Sequence, residues 1–354
     1  MNRIILIGNG FDLAHDLKTS YTAFIDDFWE KEISLMLSSK LKEQTPDIFG
    51  YEDDFVKANT IMSIWEMLRK TQDSKYKGYN IFTTLNAPPI KFVSANPFDN
   101  TEFICKNDFL KRISEKRQTL KKWVDIEYEY YMALIECLDD EEGAEKLNDD
   151  FRRIETALKI YLNEQNKNKI IESKLIQNHI YRGIEEKDTV LFLNFNYTRT
   201  IRLYTYGTRG TKVIYIHGEL EKGNDNPIIF GYGDELDDNY HKIEMLNDKS
   251  FLENIKSIKY SITNNYRDML SFLNAEEYEV FIMGHSCGLS DRTLLNTIFE
   301  HEKCKLVKIF YHQKDPANDN YLETYINLSR NFNDKKRLRE IVVSKENSMP
   351  LETK

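Results

Sequence analysis

Asparagine, histidine and glycine recur in this chain directly after short apolar runs. That pattern gathers amide hydrogen bonders and proton acceptors along one edge of a sheet. Leu193 is followed by Asn194-Phe195-Asn196-Tyr197-Thr198, Ile216 by His217-Gly218, Phe230 by Gly231-Tyr232-Gly233-Asp234, and Met283 by Gly284-His285-Ser286, with Asp291 beyond. An Asn side chain offers both a donor and an acceptor to a ribose or an amide, and a His of near-neutral pKa is a natural acceptor for the proton of a sugar hydroxyl. Each residue also has a local reading. Asn194 and Asn196 suit turns, His217 suits a hydrogen-bonded core position, and Ser286 and Asp291 suit helix caps. Their repetition at successive strand ends favours one shared ligand site, because open α/β sheets bind ligands at the carboxyl ends of their strands.

The fifth strand end stands at the start of the chain. Residues 3–7, Arg-Ile-Ile-Leu-Ile, read as a strand buried on both faces and run into Gly8-Asn9-Gly10-Phe11-Asp12. Two glycines before a helix let the backbone approach a phosphate, which the N–H groups and dipole of the helix would favour. Leu13 stands where a third dinucleotide-motif glycine would fall, and Asp12 brings a negative charge, so a plain tight turn with Asp12 as a capping side chain is the competing reading. Glu127 adds a carboxylate: helical spacing places it on the apolar stripe of Leu120, Val124, Tyr131 and Leu134, where it needs either an ion-pair partner or a place at the cleft.

These side chains need a sheet to position them. Apolar runs at 189–193, 212–216, 227–230, 279–283 and 306–310 read as buried strands, with helical segments near 250–274, 291–302 and 319–331 between them. The alternation predicts an α/β fold with a mostly parallel sheet. Residues 21–187 lack strand-like runs, are charged and aromatic, carry Pro88, Pro89 and Pro97 in one irregular stretch, and read as a mostly helical insertion. The expected organisation is therefore a discontinuous α/β domain of residues 1–20 and 188–344, the insertion at 21–187, and a loose tail at 345–354.

Composition limits the function classes. The 354 residues, 41% hydrophobic with 20 Phe and 21 Tyr, support a large core. A net charge of −9 argues against a general nucleic-acid-binding surface. The basic cluster of Lys111, Arg112, Lys116, Arg117, Lys121 and Lys122 reads as a solvated helix face. No apolar run of about 20 residues is present and the first residues form a strand, so a cytoplasmic protein without a membrane partner is expected. Cys105, Cys137, Cys287 and Cys304 are scattered, and His301 with Cys304 lacks a second ligand pair, so no metal is expected.

Several blocks together resemble a known family. Residues 5–21 (ILIGNGFDLAHDLKTSY), 123–127 (WVDIE), 194–198 (NFNYT), 216–218 (IHG) and 284–291 (GHSCGLSD) are similar to the bacteriophage abortive-infection AbiH proteins. That family in turn resembles the SIR2-like NAD-binding proteins, whose Rossmann-like fold the resemblance implies here. By that resemblance Asn196 lies near the nicotinamide ribose, His217 takes a proton from a ribose hydroxyl, and Gly284, Ser286 and Asp291 hold the adenosine side, with Gly8 to Asp12, Asn194, Tyr197, Thr198 and His285 around the nucleotide. The sirtuin zinc cysteines are absent, which points away from deacetylation. The implied activity is cleavage of NAD+ with release of nicotinamide during phage infection, with NAD+ as substrate, a phage-derived trigger and self-association as the implied partnerships. Two alternatives remain. One is a non-catalytic nucleotide sensor. The other is an esterase, since Gly284-His285-Ser286-Cys287-Gly288 matches a nucleophile elbow, with Asp291 and either His301 or His312 completing a triad.

Overall fold

A run such as Ile4-Ile5-Leu6-Ile7 has apolar side chains on both faces and is stable only between two covering layers. The computed structural model, which describes residues 1–41, 51–58, 103–116, 119–120, 122–206, 208, 210–221 and 225–352, provides both. Six strands, β1 (Asn2–Ile7), β2 (Val190–Asn194), β3 (Thr211–Tyr215), β4 (Tyr278–Met283), β5 (Cys304–Tyr311) and β6 (Met349–Pro350), form one sheet in the order 3-2-1-4-5-6. Each pair of neighbours is parallel, and Leu6 lies in register with Leu193 on one side and Ile282 on the other. Ile4 and Leu6 enter a core with Leu295, Phe299 and Leu328, while Ile5 and Ile7 enter a second core with Phe11, Ile176 and Ile180. Helices Asn265–Ala275, Arg292–Phe299 and Tyr321–Arg330 supply the first core, and Lys174–Tyr181 the second.

The chain divides into two compact units. One contains Met1–Thr19, Tyr130–Ala144 and Leu162–Lys354, and the other contains Ser20–Glu129 and Glu145–Tyr161. The expected insertion at 21–187 is therefore not one body. Residues 162–187 belong with the sheet because Ile176 and Ile180 bury against it and Arg3 donates to the Ile180 carbonyl at 2.5 Å. The second unit holds helices Tyr21–Leu41, Asp108–Glu115 and much of Glu141–Gln165, with a three-stranded antiparallel sheet of Tyr51–Glu52, Val56–Ala58 and Phe103–Cys105 that the sequence pattern did not reveal. Its helices are tied by Asn107, which caps one helix through Leu110 N–H and donates to the Asp150 carbonyl at 2.9 Å. Pro88, Pro89 and Pro97 lie outside the described residues.

Two further expectations change. Residues 227–230 form no strand: the segment begins with Pro227, which has no N–H to give a ladder, and Ile229 instead donates to the His217 carbonyl at 2.8 Å. The expected loose tail is built into the sheet, for Met349 and Pro350 pair with Phe310 and Tyr311, and Leu351 is buried. No described helix is long and apolar enough to cross a membrane.

The order 3-2-1-4-5-6 reverses between β1 and β4, where two glycine turns pack backbone against backbone. Gly8 N–H donates to the Met283 carbonyl at 3.3 Å and Gly10 N–H to the Gly284 carbonyl at 2.9 Å. Gly284 has φ +78°, and a Cβ there would lie 2.1 Å from Phe11 N. Gly284→Ala is expected to destabilise the protein by about 2–4 kcal/mol, read from urea unfolding; an unchanged midpoint would mean the two turns are not in this close contact.

Candidate functional site

A carboxylate buried in a protein must be hydrogen-bonded, paired with a cation or protonated. Asp291 meets this demand at the carboxyl ends of β3 and β4. It precedes helix Arg292–Phe299 in the N-cap position but makes no capping hydrogen bond. Its Oδ1 lies 2.8 Å from Lys256 Nζ and 3.1 Å from His217 Nε2, and its Oδ2 lies 3.5 Å from His285 Nε2. Burial opposes ionisation of Asp291, but the Lys256 ammonium and the two imidazoles outweigh it and hold the carboxyl well below the usual carboxylate range.

His217 is the most constrained of these groups. Its Nε2 also lies 3.1 Å from Tyr260 Oη, and its ring meets Phe195 edge-on at 5.1 Å. Burial, and next the Lys256 charge, push its pKa down to about 4 against the pull of Asp291. The imidazole is neutral at physiological pH, and an ionised carboxylate only accepts, so Nε2 carries the proton and Nδ1 the lone pair. His285 has the same tautomer for a different reason, since its Nδ1 accepts from Cys287 N–H at 3.0 Å. Two imidazoles and a carboxylate resemble a metal-ligand set, but here both Nε2 atoms face Asp291 and the Lys256 ammonium already lies against it.

A second buried network joins the ends of β1 and β2. Asp12 Oδ2 accepts from Thr198 Oγ1 at 2.6 Å, Asn196 Nδ2 donates to the Gly8 carbonyl at 2.9 Å, and Asn194 Oδ1 accepts from Asn196 N–H at 3.1 Å. Burial pushes the Asp12 carboxyl up to about 6, against the hydrogen-bonding pull of Thr198, Thr200 and Asn196. The competing capping role does not arise, because the N-cap of helix Asn9–Leu13 is Gly8. Phe195, between Asn194 and Asn196, packs on both His217 and His285 and so links the two networks.

The structure thus brings His217, His285 and Asp291 into direct contact and sets Asn194, Asn196, Thr198, Asp12 and the glycines beside them. Other expected site residues serve the frame. Phe11 is wholly buried against His15 and Tyr204, Asn9 accepts from Thr19 Oγ1, and Tyr197 Oη donates to the Ile229 carbonyl. The phosphate-cradle reading of the glycine turn is weakened, since the N–H groups of Gly8, Gly10 and Phe11 are already donated within the protein. Glu127 is buried on helix Trp123–Glu136 in the second unit. In that unit Arg112 and Lys116 both pair with Glu129, while Arg117 and Lys121 lie outside the described residues.

Ser286 is not a triad nucleophile. The next α-helix starts only at Arg292, after a short 3-10 turn at Leu289–Asp291, positive φ falls at Gly284 and Cys287 rather than at the serine, and His285 turns its ring nitrogens to Cys287 and Asp291. His301 and His312 face Asn274 and Glu352. Sequence reasoning missed Lys256 and Tyr260. Tyr260 also lines a cavity of about 470 Å³ with Glu235, Asn264, Tyr266 and Arg267, a size suited to a small organic ligand.

The model of one family, described as bacteriophage abortive infection AbiH, matches residues 4–313. The chain belongs to the AbiH family. The match runs from within β1 through β5 and includes each residue of both buried networks, and the AbiH assignment supports an anti-phage abortive-infection role for the chain. No curated protein and no solved structure matches this AbiH chain.

The raised Asp12 pKa gives a signed expectation. A carboxyl raised from 3.8 to about 6 contributes stability that is complete below pH 3.8 and is lost as pH rises through about 6. Asp12→Asn should therefore gain about 2 kcal/mol of stability relative to wild type between pH 4.5 and 7.5, the part of the roughly two-unit shift that falls inside that window. Denaturant titrations at the two pH values would read this, and a difference independent of pH would contradict it.

Proposed function

We propose that this chain defends against phage by cleaving NAD+ at the edge where β1 to β4 end, in the manner of SIR2-like proteins. Support comes from the strand order 3-2-1-4-5-6, the order of dinucleotide-binding Rossmann folds, in which nucleotides lie at the reversal between strands 1 and 4. The observation that carries the proposal is the His217–Asp291 pair, a neutral imidazole fixed through Nε2 with Nδ1 left as a base.

In this reading the substrate ribose lies over His217, with Asn194 and Asn196 near its hydroxyls. As the bond from ribose C1′ to the pyridinium nitrogen breaks, its electron pair leaves with nicotinamide, which departs neutral, and positive charge develops on the ribose. His217 Nδ1 accepts a ribose hydroxyl proton, easing that charge, and Asp291 stabilises the imidazolium that forms. Water then attacks C1′ and gives up a proton to solvent, while the His217 imidazolium returns its proton to the ribose oxygen, giving ADP-ribose and regenerating the base. Depletion of NAD+ in the cytoplasm would halt the infected cell before phage release.

The nucleotide-sensor reading is favoured by one observation: the hydroxyl of Thr198, donated to Asp12, is no acid or base of its own at the end of β2, and a site short of catalytic groups can still bind. The two readings separate in infected cells. NAD+ should fall in cells expressing wild type and stay at the uninfected level with His217→Ala, a loss of at least about 100-fold in cleavage rate. Cells that abort infection with NAD+ unchanged would contradict cleavage and leave the sensor.

A further inference from the structure

The short helix Lys256–Lys259 is packed against its hydrophobic pattern. Lys256 is 1% exposed, whereas Ile258 and nearby Ile262 are 42% and 63% exposed. Burial of apolar surface drives folding and desolvation of an ammonium opposes it, so a segment that buries Lys256 beside Ile255 while Ile258 faces outward is held by something specific. The backbone shows what holds it. Lys256 N–H donates to the Tyr232 carbonyl at 2.8 Å, and Tyr232 N–H donates to the Asn254 carbonyl at 3.2 Å. Gly233 lets this strip come close, since a Cβ there would be 3.0 Å from Lys256 Cβ and 2.9 Å from the Ser290 carbonyl oxygen. The side chain is thereby aimed at Asp291 Oδ1, 2.8 Å away, with Ser290 Oγ at 3.5 Å.

We propose that Lys256 is a positioning residue of this site: its ammonium keeps Asp291 ionised and oriented, so that His217 holds its single proton on Nε2 and presents an unprotonated Nδ1. This rests on the reading of His217 as the base of the proposed reaction and names the group that tunes it. The titratable and charged groups facing His217 are Asp291, Lys256, His285 and Tyr260. Among these only Asp291 favours a second proton on the ring. With Lys256 removed, burial still holds the ring pKa down, but the ammonium no longer opposes the pull of Asp291, so protonation of Nδ1 begins at a higher pH. Lys256 thus acts through the pair and touches no reacting atom.

The sign follows. In wild type the ring stays neutral until pH falls to about 4. In Lys256→Met, a neutral side chain of similar length, the ring pKa rises, protonation begins at higher pH, and any activity that needs the free base loses its acid limb earlier. An NMR titration of the His217 ring in the full chain from pH 4.5 to 8, for wild type, Lys256→Met and Lys256→Arg, tests this. The expected result is a wild-type ring in the Nε2–H tautomer that does not titrate above pH 5, a pKa at least one unit higher in Lys256→Met, and return toward wild type in Lys256→Arg. A wild-type ring that titrates near 6.5, or a folded Lys256→Met with an unchanged ring pKa, would overturn the proposal. If Lys256→Met does not fold, the wild-type titration and tautomer still decide. NAD+ turnover in the same samples separates the two claims: the expected ring shifts without turnover would uphold the role of Lys256 and count against NAD+ cleavage.

Discussion

A single ion pair, Lys256 to Asp291, governs the chemistry available at this sheet edge. Both charges are out of water, and neither would be tolerated alone: removing one partner of such a pair typically costs about 3–5 kcal/mol, whereas a well-packed apolar pair would serve stability as well or better. The pair is therefore poorly explained as a stabilising device. Its consequence is electrostatic. It fixes an anion beside His217 and His285, burial and then its cation oppose a second proton on His217, and a buried carboxylate that holds a neutral imidazole in one tautomer is an arrangement suited to proton transfer.

The rest of the unit brings the pair together. Lys256 comes from the irregular segment after β3, His217 from the turn at the end of β3, and His285 and Asp291 from the loop after β4. The parallel sheet places these turns on one edge, and the glycines at the β1 and β4 ends pack backbone on backbone to close the reversal point. That closeness consumes N–H groups that a phosphate would otherwise use. Asp12 and Thr198 extend the buried polar layer to the ends of β1 and β2, with the ring of Phe195 between the two halves. Burial of Asp12 disfavours its ionised form, so it costs stability at neutral pH.

Much of this fold is legible in the sequence because buried parallel strands leave continuous apolar runs. Residues 189–193, 212–216, 279–283 and 306–310 nearly coincide with β2 to β5, and the polar clusters after them hold His217, His285 and Asp291. The run at 227–230 misleads because burial of Ile229 and Phe230 needs no ladder once Pro227 removes a donor. The tail reads as loose because two residues, Met349 and Pro350, are too few to show a period, yet they find an open sheet edge. Lys256 is invisible for a deeper reason: it falls within the segment near 250–274 that reads only as helical, and its burial comes from tertiary contacts with Tyr232, Ser290 and Asp291 that no local pattern encodes.

The most direct measurement is a structure of the wild-type protein with carba-NAD+, an analogue whose nicotinamide bond cannot be hydrolysed. The account requires a nicotinamide-ribose hydroxyl within about 3 Å of His217 Nδ1, a hydrogen-bond distance, with Asp291 and Lys256 still paired behind the ring. An analogue bound away from His217, or no binding at saturating concentration, would contradict it.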